Sequence, residues 1–300
     1  MKIAVLLTCF NRKKQTVSCI RSFFNALNFY NNKSNEEQIK ATVYLTDDGC
    51  TDGTGDAIKH EFNNEVIILK GDGNLYWAGG MRLAWNEALK EHDNTDFYLL
   101  LNDDVDLDKD CLLILLETHK YCCQIYSKSG IYSGITYSKT PPHVLTYSGA
   151  IWINKFLGKM KMVDISNTPQ MVDVTNANIL LVHKSVVDKI GIFYEGFKHG
   201  GADHDFSYQA RKNGFPVLVT SKKCGLCDND HLTAEQLKKK ILKMSFIERK
   251  KYFNNPVNCI HDYILGTWRR APLRTPLVIW GRYMILYCPS LYYKFVNFRK

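Results

Sequence analysis

Two acidic clusters each stand directly behind an apolar run of strand length, and this pairing constrains the fold more than any other feature of the chain. Asp47-Asp48-Gly49-Cys50-Thr51-Asp52-Gly53-Thr54 follows the run at 41–45, and Asn102-Asp103-Asp104-Val105-Asp106 follows the run at 97–101. Short apolar runs bounded by turn residues read as buried strands. Two more lie at 3–7 and 66–69. Between them Val17, Ile20, Phe23, Phe24 and Leu27 recur at helical spacing, and further helices are expected at 55–62 and 82–90. Asn31 to Glu37 reads as a polar loop. Strand–helix alternation of this kind predicts an α/β fold with a mostly parallel, doubly wound sheet. Carboxylates beyond the strand ends then face the crevice where open α/β sheets bind ligands. Such oxygen donors suit a hard divalent cation bridging phosphate groups.

After Asp106 the pattern loosens, with helices expected at 112–121, 184–190 and 203–213 and a strand at 217–220. Near Leu232 the character changes again. Lysines from Lys238 to Lys251 interleave with apolar residues, and aromatic runs follow at 263–268 and 277–287. No acidic residue follows Asp262, whereas Arg269, Arg270, Arg274, Arg282, Lys294, Arg299 and Lys300 do. Residues 232–300 therefore read as a basic, aromatic-rich helical segment suited to an anionic membrane surface. A helical cap on the preceding domain, or a dimer interface, is the competing reading. No helix-turn-helix or base-stacking pattern is found, so nucleic acid is not an expected partner.

The chain has 300 residues and an apolar share of 45%, enough for one large domain with an appendage. No apolar stretch reaches the roughly 20 residues of a spanning helix. Met1-Lys2 leads into a strand rather than a signal peptide, and the ten cysteines lack regular spacing. Reduced cysteines and a cytoplasmic location are expected, with peripheral attachment to the inner membrane's cytoplasmic face left open. Cys224 and Cys227 with His231 form an incomplete zinc pattern. Strand one is not followed by Gly-x-Gly-x-x-Gly, which disfavours a dinucleotide-binding oxidoreductase.

Taken together, Thr8-Cys9-Phe10-Asn11-Arg12, the turn from Asp47 to Thr54, Gly73-Asn74-Leu75, Asn102-Asp103-Asp104 and Gly201-Ala202-Asp203-His204-Asp205-Phe206 resemble glycosyltransferase family 2, including its bacterial rhamnosyltransferase-like members. The resemblance covers about residues 1–231. It implies a GT-A fold with a nucleotide-sugar half at 1–106 and an acceptor half at 107–231. It also implies metal-dependent, inverting transfer from a UDP- or dTDP-sugar to a hydroxyl of a saccharide or lipid-linked saccharide, in bacterial surface polysaccharide synthesis.

Residue by residue, the resemblance assigns Asp48, with Asp47 beside it, to the nucleobase. Thr8, Asn11 and Arg12 line the same pocket. Gly73, Asn74 and Gly79 let backbone amides approach the donor. Trp77 either stacks on the sugar or packs in the core. Arg82 pairs with phosphate, although relatives often carry an arginine one position earlier. Asn102 stands where the first Asp of an Asp-any-Asp motif often stands. Asp104 is the expected ligand of Mg2+ or Mn2+, with Asp103 or Asp106 helping through water. His231 is the candidate to reach the metal or diphosphate. Asp203 is the expected general base, and Ala202 replaces the usual Glu before it. Asn102 and Ala202 keep open a non-catalytic sugar-nucleotide-binding protein or membrane scaffold. Donor sugar, linkage and oligomeric state are not encoded in any pattern found.

Overall fold

The computed structural model describes residues 1–33, 37–155, 157–229 and 231–297, the side chain of Asn297 excepted. Its first part is β1 (Lys2–Cys9), α1 (Lys13–Lys33), β2 (Lys40–Asp47), α2 (Thr54–Phe62), β3 (Val66–Lys70), α3 (Tyr76–Ala88) and β4 (Phe97–Leu101). These four strands are parallel and lie side by side in the order β3-β2-β1-β4.

Both faces of the strands are covered, because side chains on a strand alternate between faces. In β1, Ile3, Val5 and Leu7 enter one core cluster with Ile20 and Phe23 of α1. Ala4 and Leu6 enter the other, with Met81 and Trp85 of α3. Helix α1 runs beyond the expected end at Leu27, since Tyr30 continues its buried stripe. Residues 31–33 are thus helical rather than loop, and Asn31 bonds both backbone polar groups of Ile39. The rest of that expected loop, residues 34–36, lies outside the described residues.

The second part is β5 (Asp106–Leu107), α4 (Cys111–Tyr126), β6 (Ile131–Tyr137), β7 (Leu145–Tyr147), β8 (Ala150–Asn154), β9 (Lys159–Met162), β10 (Gln170–Met171), β11 (Ile179–His183), α5 (Lys184–Ile190), α6 (Ala202–Lys212) and β12 (Val217–Leu226). Strand β11 lies antiparallel between β4 and β6, and β12 runs parallel to β6. Strands β5 and β10 pair antiparallel with β12, and β7 with β6. The sheet is therefore parallel in its first half and mixed in its second. Strands β8 and β9 form a separate hairpin.

Five helices complete the described chain: α7 (Ala234–Lys243), α8 (Phe246–Asn254), α9 (Ile260–Arg270), α10 (Thr275–Tyr287) and α11 (Pro289–Asn297). Thr233 with Gln236, and Ser245 with Glu248, form reciprocal caps that start α7 and α8. Ile241, Phe253, Ile285 and Leu286 make a small core of their own. Among the described residues no helix is long and apolar enough to cross a membrane. All ten cysteines are free.

Helix α3 lies close on β1 because Gly80 has no side chain. A Cβ there would sit 2.0 Å from Thr8 Oγ1. Thr46 Oγ1 donates to the Gly80 carbonyl at 2.8 Å and locks the same contact from β2. Gly80→Ala should therefore destabilise the protein by about 1–3 kcal/mol through overpacking. Urea denaturation checks this, and an unchanged midpoint would contradict the close α3–β1 approach.

Candidate active site

The parallel strands β1 to β4 end on one edge of the sheet, and the polar residues at those ends build the site. Asp48, just past β2, is buried. Its Oδ1 accepts the N–H groups of Gly73 (2.9 Å) and Leu75 (3.3 Å), and its Oδ2 accepts that of Tyr76 (3.0 Å). The carboxylate assigned to the nucleobase is thus engaged in shaping the glycine-rich turn. Gly73 holds a φ of +84°, which favours glycine, and Tyr76 is held at +53°. A bulky residue in that region is strained, and such strain collects at functional sites.

Asp47 is equally enclosed. Its Oδ2 receives Lys70 Nζ at 2.6 Å and its Oδ1 the N–H of Cys50 at 2.8 Å. Burial works to raise its pKa, but these partners win and hold it below the usual carboxylate range. Asn11 accepts the N–H of Thr51 at 2.7 Å and so joins the first strand's loop to the second's. Thr8 packs on Gly80, Gly79 lies against Leu75, and Asn74 is exposed at the turn's tip.

The end of β4 supplies the second wall. Trp77 Nε1 donates to Asn102 Oδ1 at 2.9 Å, and its ring lies 5.4 Å from that of Phe193. Asp103 turns inward and Asp104 outward, yet one atom, Arg12 Nη1, lies 2.9 Å from an oxygen of each. Burial pushes the pKa of Asp103 up to about 6, against the pull of Arg12. Burial would make Arg12 easier to deprotonate, but the two carboxylates more than offset it. Asp106 is tied to Ser18 at 2.8 Å and to Lys139 at 2.6 Å.

The third wall carries Asp203, in the first turn of α6 and half-buried. Its Oδ2 accepts the N–H of Ala177 at 3.3 Å. The next residue, Asn178, reaches the other wall: its carbonyl accepts the N–H of Asn102, and its amide donates to Cys227 Sγ. Cys227 in turn donates to Asp104 Oδ1 at 3.6 Å. Asp104 and Asp203 are therefore fastened to the same two-residue segment. Asp205, by contrast, is buried and paired with Arg269 Nε at 2.8 Å.

Arg82, the expected phosphate partner, is engaged with the protein backbone. Its Nη1 donates to the carbonyls of Tyr194 (3.2 Å) and Phe197 (2.9 Å). Asp262 of α9 grips the same loop through the N–H groups of Lys198 and His199, at 3.1 and 2.8 Å. The His199 ring lies edge-on to Tyr76, 6.4 Å between centroids, which closes the circuit from the glycine-rich turn to the Asp203 wall. His231 is exposed and lies on the His199 side, close enough for the two rings to interact electrostatically. Among the described residues no group of three or more His, Cys, Asp or Glu is arranged to hold a metal ion. Asn178 carries no signal in the sequence, and the sequence marks Cys227, Asp262 and Arg269 only for an incomplete zinc pattern and a basic tail, not for these contacts. Their partners lie far away along the chain, and no local spacing marks them.

The sequence profile of Glycosyl transferase family 2 matches residues 4–174, more than half of the chain. The chain belongs to glycosyl transferase family 2. Solved structures similar to this family 2 chain include Staphylococcus aureus TarS 1–349 in complex with UDP-GlcNAc, at 14% identity and a TM-score of 0.53, covering 89% of this chain and 71% of that one. TarS 1–349 alone gives 16% identity and a TM-score of 0.54, covering 97% and 88%. At these identities the likeness carries the fold, which is GT-A. No curated protein sequence matches significantly.

The raised pKa of Asp103 has a testable sign. A carboxyl that titrates near 6 when folded and at about 3.9 when unfolded takes up a proton on folding between those values. Its contribution to stability is full below the lower value and is lost as pH rises through 6. The wild type should gain on the order of 2 kcal/mol over Asp103→Asn between pH 7 and pH 4.5. Urea denaturation at each pH measures this, and a pH-independent difference would contradict a buried, charge-disfavoured carboxyl.

Proposed function

We propose that this cleft transfers a sugar from a nucleotide diphosphate donor, UDP- or dTDP-linked, to an acceptor hydroxyl with inversion at the anomeric carbon. One observation carries the reading: the half-buried Asp203 and the Asn102–Asp104 corner stand on either side of residues 177–178, at the ligand-binding edge of a GT-A sheet. The UDP-GlcNAc held by TarS supports a nucleotide-sugar donor. The acceptor class is a saccharide, free or lipid-linked, of the kind used in bacterial surface polysaccharides.

Each wall has a task. The amides and small residues of the turn at 71–76, fixed by Asp48, leave room for the donor's backbone approach. Trp77, Asn102 and Arg12 shape the diphosphate corner. Asp203 accepts the proton of the attacking hydroxyl, opposite the leaving nucleotide, as a single displacement requires. Asp205 is not available for this, being paired with Arg269.

The residues present fit a divalent cation, Mg2+ or Mn2+, as a ligand shared with the donor. Asp104 is only partly buried and offers hard carboxylate oxygens with lone pairs beyond those used by Arg12 and Cys227. Magnesium-like ions take one or two carboxylates and complete their shell with phosphate and water. When bound, such a cation would neutralise charge on the leaving diphosphate.

Asp203→Asn should lower kcat for nucleotide release by about 100-fold or more while leaving donor affinity unchanged. Unchanged turnover rejects the role. Donor binding without turnover in the wild type itself would instead favour the non-catalytic scaffold reading. Asp104→Asn should abolish the manganese dependence of donor binding, followed by titration calorimetry with and without the metal. Retained dependence would place the cation elsewhere.

A further inference from the structure

Residues 232–300 hold fourteen of the chain's 39 basic residues and three of its 30 acidic ones. That is a net of +11 against +9 for the whole chain, so residues 1–231 are net −2. Three of those fourteen line a cavity of about 700 Å³ between the C-terminal half of α6 and the corner joining α9 to α10. Lys155, Lys212, Arg269, Arg270 and Arg274 line it, and no acidic residue does. Among the described residues only Arg269 of these five forms an ion pair, with Asp205. A concave surface with several cations and no carboxylate is matched to a phosphate group.

The rim of this pocket is apolar rather than charged. Leu273 is 86% exposed and Trp268 60%. The apolar surface continues along α10, where Leu277, Trp280, Tyr283 and Tyr287 all face outward. The opposite side of α10 is also apolar, with Val278 buried and Ile285 and Leu286 in the helical core. Its one charged residue, Arg282, lies over the Tyr263 ring at 3.3 Å. A helix apolar on both sides has no face made for water. Lys239 on α7 and Lys250 and Lys251 on α8 are exposed, and Phe246 of α8 stacks on Tyr287 of α10.

We propose that the basic pocket and the outward face of α10 form one docking site for an anionic membrane surface, with a lipid headgroup phosphate seated among Lys212, Arg270 and Arg274. Aromatic residues favour the headgroup level, and cations gain from anionic lipid. A second copy of the chain is a poor occupant, because it would bring one strongly positive segment against another. A free phosphate would use the pocket but leave the α10 face uncovered. Helix α6 carries Asp203 at one end and Lys212 at the other, about 13 Å apart at helical rise. On the transfer reading, a saccharide borne by a docked lipid therefore lies within reach of Asp203.

Vesicle flotation of the full chain tests the proposal. The protein should float with phosphatidylcholine vesicles containing phosphatidylglycerol, stay behind with phosphatidylcholine alone, and release as salt rises. Each neutralised cation should weaken binding about fivefold, from roughly 1 kcal/mol per basic residue. Lys212→Gln with Arg274→Gln should thus lose about 25-fold, and the exposed pair Lys239→Gln with Lys250→Gln should lose affinity without touching the pocket. Leu277→Ser with Trp280→Ser should abolish flotation while circular dichroism stays unchanged. Equal behaviour on both vesicle types, or none on either, overturns the proposal. So does tight binding of inorganic phosphate without flotation, or a dimer in light scattering that Trp280→Ser disperses. Flotation reads no turnover, so this proposal and the transfer reading fail separately.

Discussion

One carboxylate, that of Asp48, holds the glycine-turn side of the cleft in shape. It is buried at the end of β2 and receives three backbone N–H groups from the turn between β3 and α3. A buried charge costs several kcal/mol unless it is fully engaged. Charge-assisted bonds to Gly73, Leu75 and Tyr76 supply that engagement. The turn must come close for this to work, and it does so because Gly71 leaves room: a Cβ there would lie 2.5 Å from Asp48 Oδ1. Helix α3 starts from this turn, packs through Gly80 onto Thr8, and sets Trp77 against Asn102. The strand ends, the turn and the helix therefore form one connected unit.

Charge is used on the far side of the cleft in the same manner. Arg82, Asp262 and Arg269 fasten the loop at 194–201 and helix α6 rather than facing open solvent. Asp205 is buried against Arg269, so the two acids of the motif divide their work: Asp205 anchors α6 and Asp203 stays partly open. Two of these fasteners come from α9. Helix α9 is thus part of what positions the acidic helix, and removing one partner of a buried pair typically costs 3–5 kcal/mol.

The parallel half of the sheet was legible because strands buried on both faces are short apolar runs, and those runs ended in acidic turns. The placing of Asp203 at the start of a helix was legible too, since residues 203–213 read as a helix and an acidic residue suits its first turn. Strand direction was not. Residues 179–183 are apolar whichever way they run, and their antiparallel fit between β4 and β6 follows from tertiary pairing. The partner of a polar side chain was equally hidden. Nothing around Arg82 in the sequence marks the carbonyls it binds, which lie more than 100 residues away. The full length of α1 was hidden because Asn31-Asn32, directly after Tyr30, resemble the start of a loop.

The account stands on the claim that the turn at 73–76, the Asn102–Asp104 corner and the Asp203 segment enclose one donor cleft. Hydrogen exchange read by mass spectrometry, with and without saturating nucleotide sugar, tests this most directly. Protection should rise together at 71–76, 102–105 and 176–178, with the first turn of α6 following. Protection confined to one of these segments, or appearing only in the C-terminal helices, would contradict a shared cleft.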